Sequence, residues 1–382
     1  MNKPTKKHPC IPAENSIPLF WPFTAAMQMA EKMGTAELDL LRKNIAFADA
    51  AEKITTPKPS SFATRNKVML DLSTQRLRDF SPEGAEGIPT IVDAPYAGHS
   101  ATIADYHKGQ SLVETLQANG VPRVLVTDWK SATPAMKDFS IDTYLAEINV
   151  CVDDLGGRVN LVGLCQGGWM SAMYAARFPA KVRKLVLAGA PSDTQAGDGP
   201  LRRLVDQVPT RFFEELVELG VGLMKGRYML QGWKNMHAEK QYFEKYLELY
   251  RHLDDPDYLS KSETFERWYE NPIDLPGRWY LQAVVELFKE NRLAKGRFTG
   301  LGRKLSLKDV TCPAYLLAGA DDDITPKEQV FAAETHLGSP KGSIEKALVP
   351  GGHIGLFMGK RTLTEHWPKI ATWLAAETAA SG

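Results

Sequence analysis

The residues around position 165 have the types and the spacing that nucleophilic chemistry needs. Residues 160–169 have the sequence NLVGLCQGGW, so an apolar run leads into Gly163, Cys165 and Gly167, and an Ala- and Met-rich segment follows. This order predicts a strand, a sharp turn and a helix, which is the form of the G-x-S-x-G nucleophile elbow with Cys in place of Ser. A Cβ at either glycine would clash with the strand or the helix. We therefore predict a nucleophilic Cys165; the alternative is a buried structural cysteine beside a glycine-rich turn.

A cysteine nucleophile needs a base, and the base needs a carboxylate that orients it. Asp321, Asp322 and Asp323 directly follow a predicted strand, and His353 lies further along the chain in a glycine-flanked loop. The order nucleophile, acid, histidine is the chain order of enzymes with a nucleophile elbow. Spacing alone does not choose among the three aspartates. We predict that His353 takes the thiol proton, that the sulfur attacks an ester or thioester carbonyl, and that the aspartate fixes the imidazole tautomer.

Backbone N–H groups near the nucleophile could stabilise the oxyanion that forms during acyl transfer. The N–H of Gln166, directly after the cysteine, is one candidate. The loop after the strand predicted at 89–94 usually supplies the second donor, here from Tyr96 or Ala97. His99 lies in the same loop, where it could shape this oxyanion hole or brace the loop through a hydrogen bond, and both remain open.

The elements that must position these residues alternate as in an α/β protein. Continuous apolar runs are typical of strands that are buried on both faces of a parallel sheet, and helical patterns between them predict a doubly wound fold. A helix is predicted at 141–154, before the elbow strand, and another at 367–376, near the end of the chain. The predicted strands are residues 89–94, 124–129, 161–164, 185–190, 314–319 and 344–349.

The pattern changes in the second half of the chain, where long helical stretches carry many aromatic residues and no clear strand. We predict that residues 195–302 form a helical cap inserted into an α/β core of residues 61–194 and 303–382. Such an insertion could cover a site at the carboxyl ends of the strands and exclude water. Residues 1–60 are predicted to be an N-terminal helical arm, in which the aromatic stretch 17–23 either packs on the core or offers a patch for a partner.

Composition narrows the classes of function. Of the 382 residues, 43% are apolar and 24% are charged, which suits a large folded core. Lys plus Arg and Asp plus Glu both total 46, and this balance argues against a nucleic-acid-binding protein. Four cysteines without a CxxC pair favour a reduced, cytoplasmic protein, and neither a signal peptide nor an apolar run of about 18 residues is found. No metal-ligand cluster or phosphate-binding loop is found, so neither a metal nor a cofactor is predicted.

The chain resembles the intracellular polyhydroxyalkanoate (PHB) depolymerases, and more broadly the polyhydroxyalkanoate synthases, over about residues 89–376 with gaps. The resemblance implies an α/β-hydrolase-type, mostly parallel sheet with an inserted helical cap. It also implies that the nucleophile is Cys165, the acid is Asp322 and the base is His353. The similar stretches are residues 94–103 (APYAGHSATI), 127–132 (TDWKSA), 189–194 (GAPSDT), 274–296 (DLPGRWYLQAVVELFKENRLAKG), 322–325 (DDIT) and 353–361 (HIGLFMGKR).

Two departures bear on the direction of the reaction. Gly167 and Gly168 after Cys-Gln look more like the synthases, whereas Asp323 stands where synthases usually carry a histidine. The cap and the DDI triplet at residues 322–324 favour hydrolysis of 3-hydroxyalkanoate polyester through an acyl-thioenzyme. The alternative is transfer of 3-hydroxyacyl groups from CoA to a growing polymer. A third hypothesis is a non-catalytic granule-binding protein.

The resemblance also implies the partners, which are a polyester granule or oligomer, or an acyl-CoA. We expect a cytoplasmic location, and granule association and homo-oligomerisation are open alternatives. His99, Trp169 and Trp279 are candidate substrate contacts. Trp233, Tyr280 and Phe288 are, like Trp279, candidate polymer contacts, and packing within a helical core is the favoured interpretation for these four residues.

Overall fold

The structure is a computed structural model that describes residues 35–55, 57–236 and 239–377. The aromatic stretch at 17–23 lies outside the described residues, as does most of the arm expected at 1–60. The described part of the arm contains a helix, Thr35–Thr55, that packs against helices of the cap.

Twelve strands are present among the described residues, and eight of them form one sheet. They are β1 Lys67–Asp71, β2 Gln75–Asp79, β3 Thr90–Asp93, β4 Val124–Trp129, β5 Val159–Leu164, β6 Val182–Ala188, β7 Leu223–Met224, β8 Leu275–Pro276, β9 Thr299–Gly300, β10 Arg303–Lys304, β11 Ala314–Gly319 and β12 Ile344–Val349. The large sheet has the order β1-β2-β4-β3-β5-β6-β11-β12. Six neighbouring strands are parallel to one another, namely β4, β3, β5, β6, β11 and β12. At one edge, β2 pairs antiparallel with β4, and β1 pairs antiparallel with β2.

Helices cover the sheet and form most of the cap. The strands β3, β5 and β11 are buried along their whole length, as expected when both faces of a parallel sheet are covered. The α-helices are α1 Thr35–Thr55, α2 Leu112–Ala118, α3 Ile141–Asp154, α4 Gln166–Arg177, α5 Pro200–Gln207, α6 Thr210–Leu219, α7 Gly226–Met236, α8 Lys245–Arg251, α9 Pro256–Tyr269, α10 Gly277–Gln282, α11 Lys327–Phe331, α12 Ala333–His336, α13 Gly355–Met358, α14 Lys360–Glu365 and α15 Trp367–Ala375. Two π-helical segments, Lys240–Glu244 and Ala283–Lys289, lie in the cap.

The cap is an insertion within the sheet topology. Strands β6 and β11 are hydrogen-bonded neighbours, yet residues 195–302 separate them along the chain. An aromatic cluster joins the cap to the core, because Trp279 of α10 is fully buried against Tyr96, Tyr144 and Trp169, with ring centroids 5.1, 5.9 and 5.6 Å away. No helix in the described part of the chain has the length and hydropathy to cross a membrane.

The predicted α/β fold with a mostly parallel sheet and a helical cap is confirmed. The strands expected at 124–129, 314–319 and 344–349 have those bounds, whereas the one expected at 185–190 begins at Val182 and ends at Ala188. Two features differ from the expectation. The sheet has an antiparallel edge formed by β1 and β2, and the cap contains short strands, where no clear strand was expected. The boundaries assigned to the arm, core and cap stay predictions.

Candidate active site

Cys165 occupies the turn between β5 and α4. Its backbone has φ 51° and ψ −116°, in a region that residues with a Cβ rarely adopt. Two hydrogen bonds hold the turn, because the N–H of Cys165 donates to the carbonyl of Ala188 and the N–H of Gly168 donates to the carbonyl of Cys165, both at 2.9 Å. The residue is 9% exposed and lines a cavity.

The glycines of the elbow allow two backbone segments to cross in close contact. A Cβ added at Gly163 would lie 2.8 Å from the backbone N of Gly168. A Cβ added at Gly167 would lie 2.6 Å from the carbonyl carbon of Asp93 and 2.9 Å from the oxygen of Ala94. All three distances are too short for a real side chain, so the clash predicted at the flanking glycines is present.

The structure distinguishes the three consecutive aspartates. Asp322 accepts a hydrogen bond from Nδ1 of His353 at 2.7 Å, and the aspartate side chain is fully buried. Its other oxygen accepts from the backbone N–H groups of Ile324 and Thr325, at 3.0 and 2.8 Å. Asp321 instead accepts from the N–H of Gly351. Asp322 is therefore the aspartate that orients the imidazole.

His353 is buried and lines the same cavity as Cys165. Its Nδ1 is hydrogen-bonded to Asp322, which leaves Nε2 as the second ring nitrogen. No residue of the described chain makes a hydrogen bond of standard geometry with Nε2. Burial is the largest influence on the pKa of His353 and lowers it. The neighbouring Cys165 and Asp322 together outweigh burial and hold this pKa well above its usual value. The site thus favours a protonated imidazole facing the sulfur.

The expected oxyanion hole draws its N–H groups from two places, which are Gln166 after the nucleophile and the loop that contains Tyr96 and Ala97. Gln166 is the first residue of α4, so its N–H is among those that have no partner within the helix. Ala97 lines the cavity, whereas the Tyr96 side chain points into the aromatic core. The Tyr96 hydroxyl donates to backbone carbonyls and accepts from Tyr144, at 2.9 Å. Only the backbone of Tyr96 is therefore available for an oxyanion hole.

His99 braces its loop through a hydrogen bond, which was one of the two roles left open, and a role in the oxyanion hole stays a prediction. It lines the cavity, and its Nε2 lies 3.0 Å from the carbonyl oxygen of Tyr269. This contact joins the loop after β3, called the early loop below, to the cap. The ring also stacks on Trp268, with centroids 4.5 Å apart. Burial lowers the pKa of His99 to about 4, and a neutral ring can donate to this carbonyl.

Two expected substrate contacts lie elsewhere. Trp169 and Trp279 are 2% and 0% exposed and stack near each other in the aromatic core, and neither lines the cavity. This position corrects the expectation for Trp169, and for Trp279 it agrees with the alternative of packing within a helical core. On a helix, an aromatic residue that packs on the core and one that faces a ligand give the same spacing, so the sequence could not separate them.

The cavity has a volume of about 300 Å³ and lies between the carboxyl ends of the strands and the cap. Its walls are mostly apolar, and one wall is made by the loops that carry Cys165 and His353. Of the polymer contacts considered from the sequence, Trp233 and Phe288 line the cavity and Tyr280 does not, and the other cap residues of the lining were not predicted. The cap residues that line it are Leu201, Trp233, Gln241, Phe265, Trp268, Tyr269 and Phe288.

The eight-stranded, mostly parallel sheet with an elbow after β5 and an inserted cap defines an α/β-hydrolase fold. The chain belongs to the DUF3141 family, described as a protein of unknown function, whose match spans residues 78–344.

Curated relatives cover most of the chain. It is 28% identical over 364 residues to the poly(3-hydroxyalkanoate) polymerase subunit PhaC of Allochromatium vinosum, covering 90% of this chain and 97% of the relative. It is 27% identical over 369 residues to the subunit of the same name from Haloferax mediterranei, covering 93% of this chain and 72% of the relative.

Among solved structures, an α/β-hydrolase fold protein from Nakamurella multipartita has a TM-score of 0.48 and 17% identity, covering 81% of this chain and 99% of that one. The relatives and the fold together mark the chain as an enzyme of the ester hydrolase or related acyltransferase class.

Proposed function

We propose that this chain is a cysteine-dependent acyltransferase that moves 3-hydroxyacyl groups from an acyl thioester onto a growing polyester. The observation that carries the proposal is the buried Asp322–His353 pair, which opens onto the same cavity as the strained Cys165. The sequence analysis favoured hydrolysis. The polymerase names of the two relatives instead favour transfer.

In the first half-reaction, Nε2 of His353 holds the proton that it has taken from the thiol of Cys165, and the resulting thiolate attacks the thioester carbonyl. The N–H of Gln166, with a second N–H from Tyr96 or Ala97, stabilises the oxyanion. The leaving thiolate takes the proton from the imidazolium, and the acyl group stays on the sulfur. Asp322 keeps Nδ1 protonated, so that Nε2 is the nitrogen that exchanges the proton.

In the second half-reaction, a hydroxyl group of a chain end or of another acyl unit attacks the acyl-thioenzyme. His353 takes the hydroxyl proton, the new ester bond forms, and the proton passes to the departing sulfur of Cys165. Water is the competing nucleophile. A mostly apolar cavity under the cap disfavours water and therefore supports transfer.

Ester hydrolysis is the second candidate function. Asp323 stands where synthases usually carry a histidine, and residues 274–296 resemble the depolymerases. In that reaction the same groups would act, and water would replace the hydroxyl nucleophile in the second step.

The proposal also includes the partner and the location of the protein. The partner is a polyester granule or a soluble oligomer, and the location is cytoplasmic and granule-associated. Homo-oligomerisation stays a prediction.

The decisive experiment offers purified protein two substrates separately, 3-hydroxybutyryl-CoA and amorphous polymer. We expect release of CoA with growing turbidity from the first. Release of monomers or oligomers from the polymer, without reaction of the CoA ester, would instead support hydrolysis. The substitution Cys165→Ala should reduce turnover by roughly 10⁴-fold or more, and Cys312→Ala is the matched control. Undiminished activity of Cys165→Ala would contradict both reactions and favour the non-catalytic granule-binding hypothesis.

A further inference from the structure

The cavity contains buried polar atoms that have no protein partner. Oε1 of Gln166, Oε1 of Gln241 and Nε2 of His353 are each shielded from solvent, and none has a hydrogen-bond partner among the described residues. All three residues line the same, mostly apolar cavity. A buried polar group without a partner costs free energy, so each such group calls for an explanation, for example a catalytic role or a bound partner.

These three atoms are not equivalent. Nε2 of His353 serves proton transfer in the proposed function, and Gln166 is bonded directly to the nucleophile. Gln241 belongs to the cap, in the π-helical segment Lys240–Glu244, so it approaches the cavity from an element other than the elbow. Short π-helical segments are frequent at functional sites. The Gln241 carboxamide is thus a polar group on the cap side of a pocket whose other cap residues are aliphatic or aromatic.

We propose that Gln241 is a specificity-determining residue that binds the oxygen substituent on the acyl chain. The inference rests on the proposed function, in which each acyl unit carries an oxygen at its third carbon. A carboxamide suits both forms of that oxygen, because Oε1 accepts from a free hydroxyl and Nε2 donates to an ester oxygen. An unsubstituted acyl chain would leave the carboxamide unpaired, and a site with an unpaired buried polar group rejects such an analogue.

The test compares acylation by 3-hydroxybutyryl-CoA and by butyryl-CoA, measured as single-turnover CoA release. Butyryl-CoA lacks the hydroxyl group but can still acylate a cysteine. We expect the wild-type protein to favour the hydroxylated substrate, and Gln241→Met to lower this ratio of kcat/KM values by about ten- to a hundredfold. Gln207→Met is the control, because Gln207 is an exposed residue of the cap helix α5 and does not line the cavity.

A thermal midpoint separates recognition from a packing role. Methionine has the length of glutamine and removes the unpaired Oε1, so Gln241→Met should unfold at the same or a higher temperature without ligand. A lower midpoint together with an unchanged ratio would assign Gln241 to cap packing and overturn the inference. If Gln241→Met cannot be recovered folded, Gln241→Asn, which withdraws the amide by one methylene group, is judged by the same ratio.

The failures of the two proposals are distinguishable. If the wild-type protein is acylated by both substrates and the ratio stays within about twofold in the Gln241 variants, only the specificity inference fails. If the wild-type protein releases CoA from neither substrate, or Cys165→Ala releases it equally well, the proposed function fails and the specificity inference fails with it.

Discussion

Cys165 is held in a backbone conformation that costs about 1–3 kcal/mol for a residue with a side chain. The hydrogen bond to Ala188 and the glycine-mediated crossing of backbones keep it there. This conformation turns the sulfur toward the cavity that also contains His353. In the proposed function, this conformation directs the sulfur toward the base His353.

The first prediction concerns the reactivity of the three described cysteines. Cys165 and Cys312 are almost equally buried, at 9% and 8% exposure, so exposure alone predicts similar alkylation. Burial raises the pKa of both Cys312 and Cys151 to about 12, whereas Cys165 faces a protonated His353. We expect iodoacetamide to label Cys165 at least about tenfold faster near neutral pH, as measured by peptide mass mapping over time.

The control for this experiment is Asp322→Asn, which removes the carboxylate that helps to keep His353 protonated. Labelling of Cys165 should slow in that variant, while labelling of Cys312 should not change. Equal rates at Cys165 and Cys312 in the native protein would contradict the pairing of sulfur and imidazole.

At the scale of elements, the elbow depends on the close crossing of α4 and the loop after β3. The substitution Gly167→Ala places a Cβ against the backbone of Asp93 and Ala94, which cannot move without displacing β3. We expect a loss of at least about 1–3 kcal/mol in the free energy of unfolding, measured by urea denaturation, together with loss of activity.

Gly232→Ala is the matched control for the elbow. Gly232 is an exposed residue of α7, and a Cβ added there meets no atom within 4 Å. Since alanine favours a helix over glycine, this variant should gain up to about 1 kcal/mol. Equal stability changes in the two variants would show that the crossing at Gly167 is looser than the structure indicates.

The contact between the early loop and the cap predicts a dependence of stability on pH. Burial lowers the pKa of His99 to about 4, so the unfolded chain, with its value near 6.5, binds this proton first as pH falls. Between pH 6.5 and about 4 the unfolded state therefore holds more protons, and the free energy of unfolding should fall by up to about 3 kcal/mol.

The substitution His99→Phe tests this dependence, because it keeps an aromatic ring near Trp268 and removes the titrating group. The variant loses the hydrogen bond to Tyr269, but its unfolding free energy should vary less between these two pH values than that of the native protein. Calorimetry or urea denaturation across the range measures the difference. Parallel pH curves for the two proteins would refute the assignment.

At the scale of the whole molecule, the site is formed by two layers that are distant in sequence. The sheet loops carry the reacting groups, and the cap closes the cavity with aromatic side chains. Trp268 contributes to both closure and attachment, because it lines the cavity and its Nε1 donates to the carbonyl of Ser100 at 2.9 Å. In the proposed function, the cap therefore controls how easily water reaches an acylated Cys165.

This arrangement predicts that opening the cap shifts the fate of the acyl group. In Trp268→Ala the cavity gains volume and loses a contact with the early loop, so more acyl-enzyme should be hydrolysed before transfer. We expect the ratio of free 3-hydroxybutyrate to polymer to rise severalfold. Phe243→Ala is the control, since Phe243 is a 64% exposed aromatic residue of the cap. An equal rise in both variants would exclude a specific role of the cavity wall.

Local chemistry in the sequence predicted the sheet and the elbow. Strands β4, β11 and β12 and the helix α3 have the predicted bounds, because continuous apolar runs and helical spacing are local signals. The glycines around Cys165 predicted the turn, since only glycine permits so close a crossing. The edge strands β1 and β2 were not predicted. They are mostly exposed or half-buried and carry many charged residues, so they lack a strong apolar pattern.

Tertiary structure decided what depends on direction and distance. Three adjacent aspartates are equivalent by spacing, and the local turn at Ile324 and Thr325 is what aims Asp322 at His353. Resemblance named that residue, and the hydrogen bond shows why. Trp169 and Trp268 are both aromatic residues on helices, yet one is core and the other lines the cavity. The face that a helix turns toward a ligand is set by packing between segments far apart in the chain, and local periodicity does not contain that information.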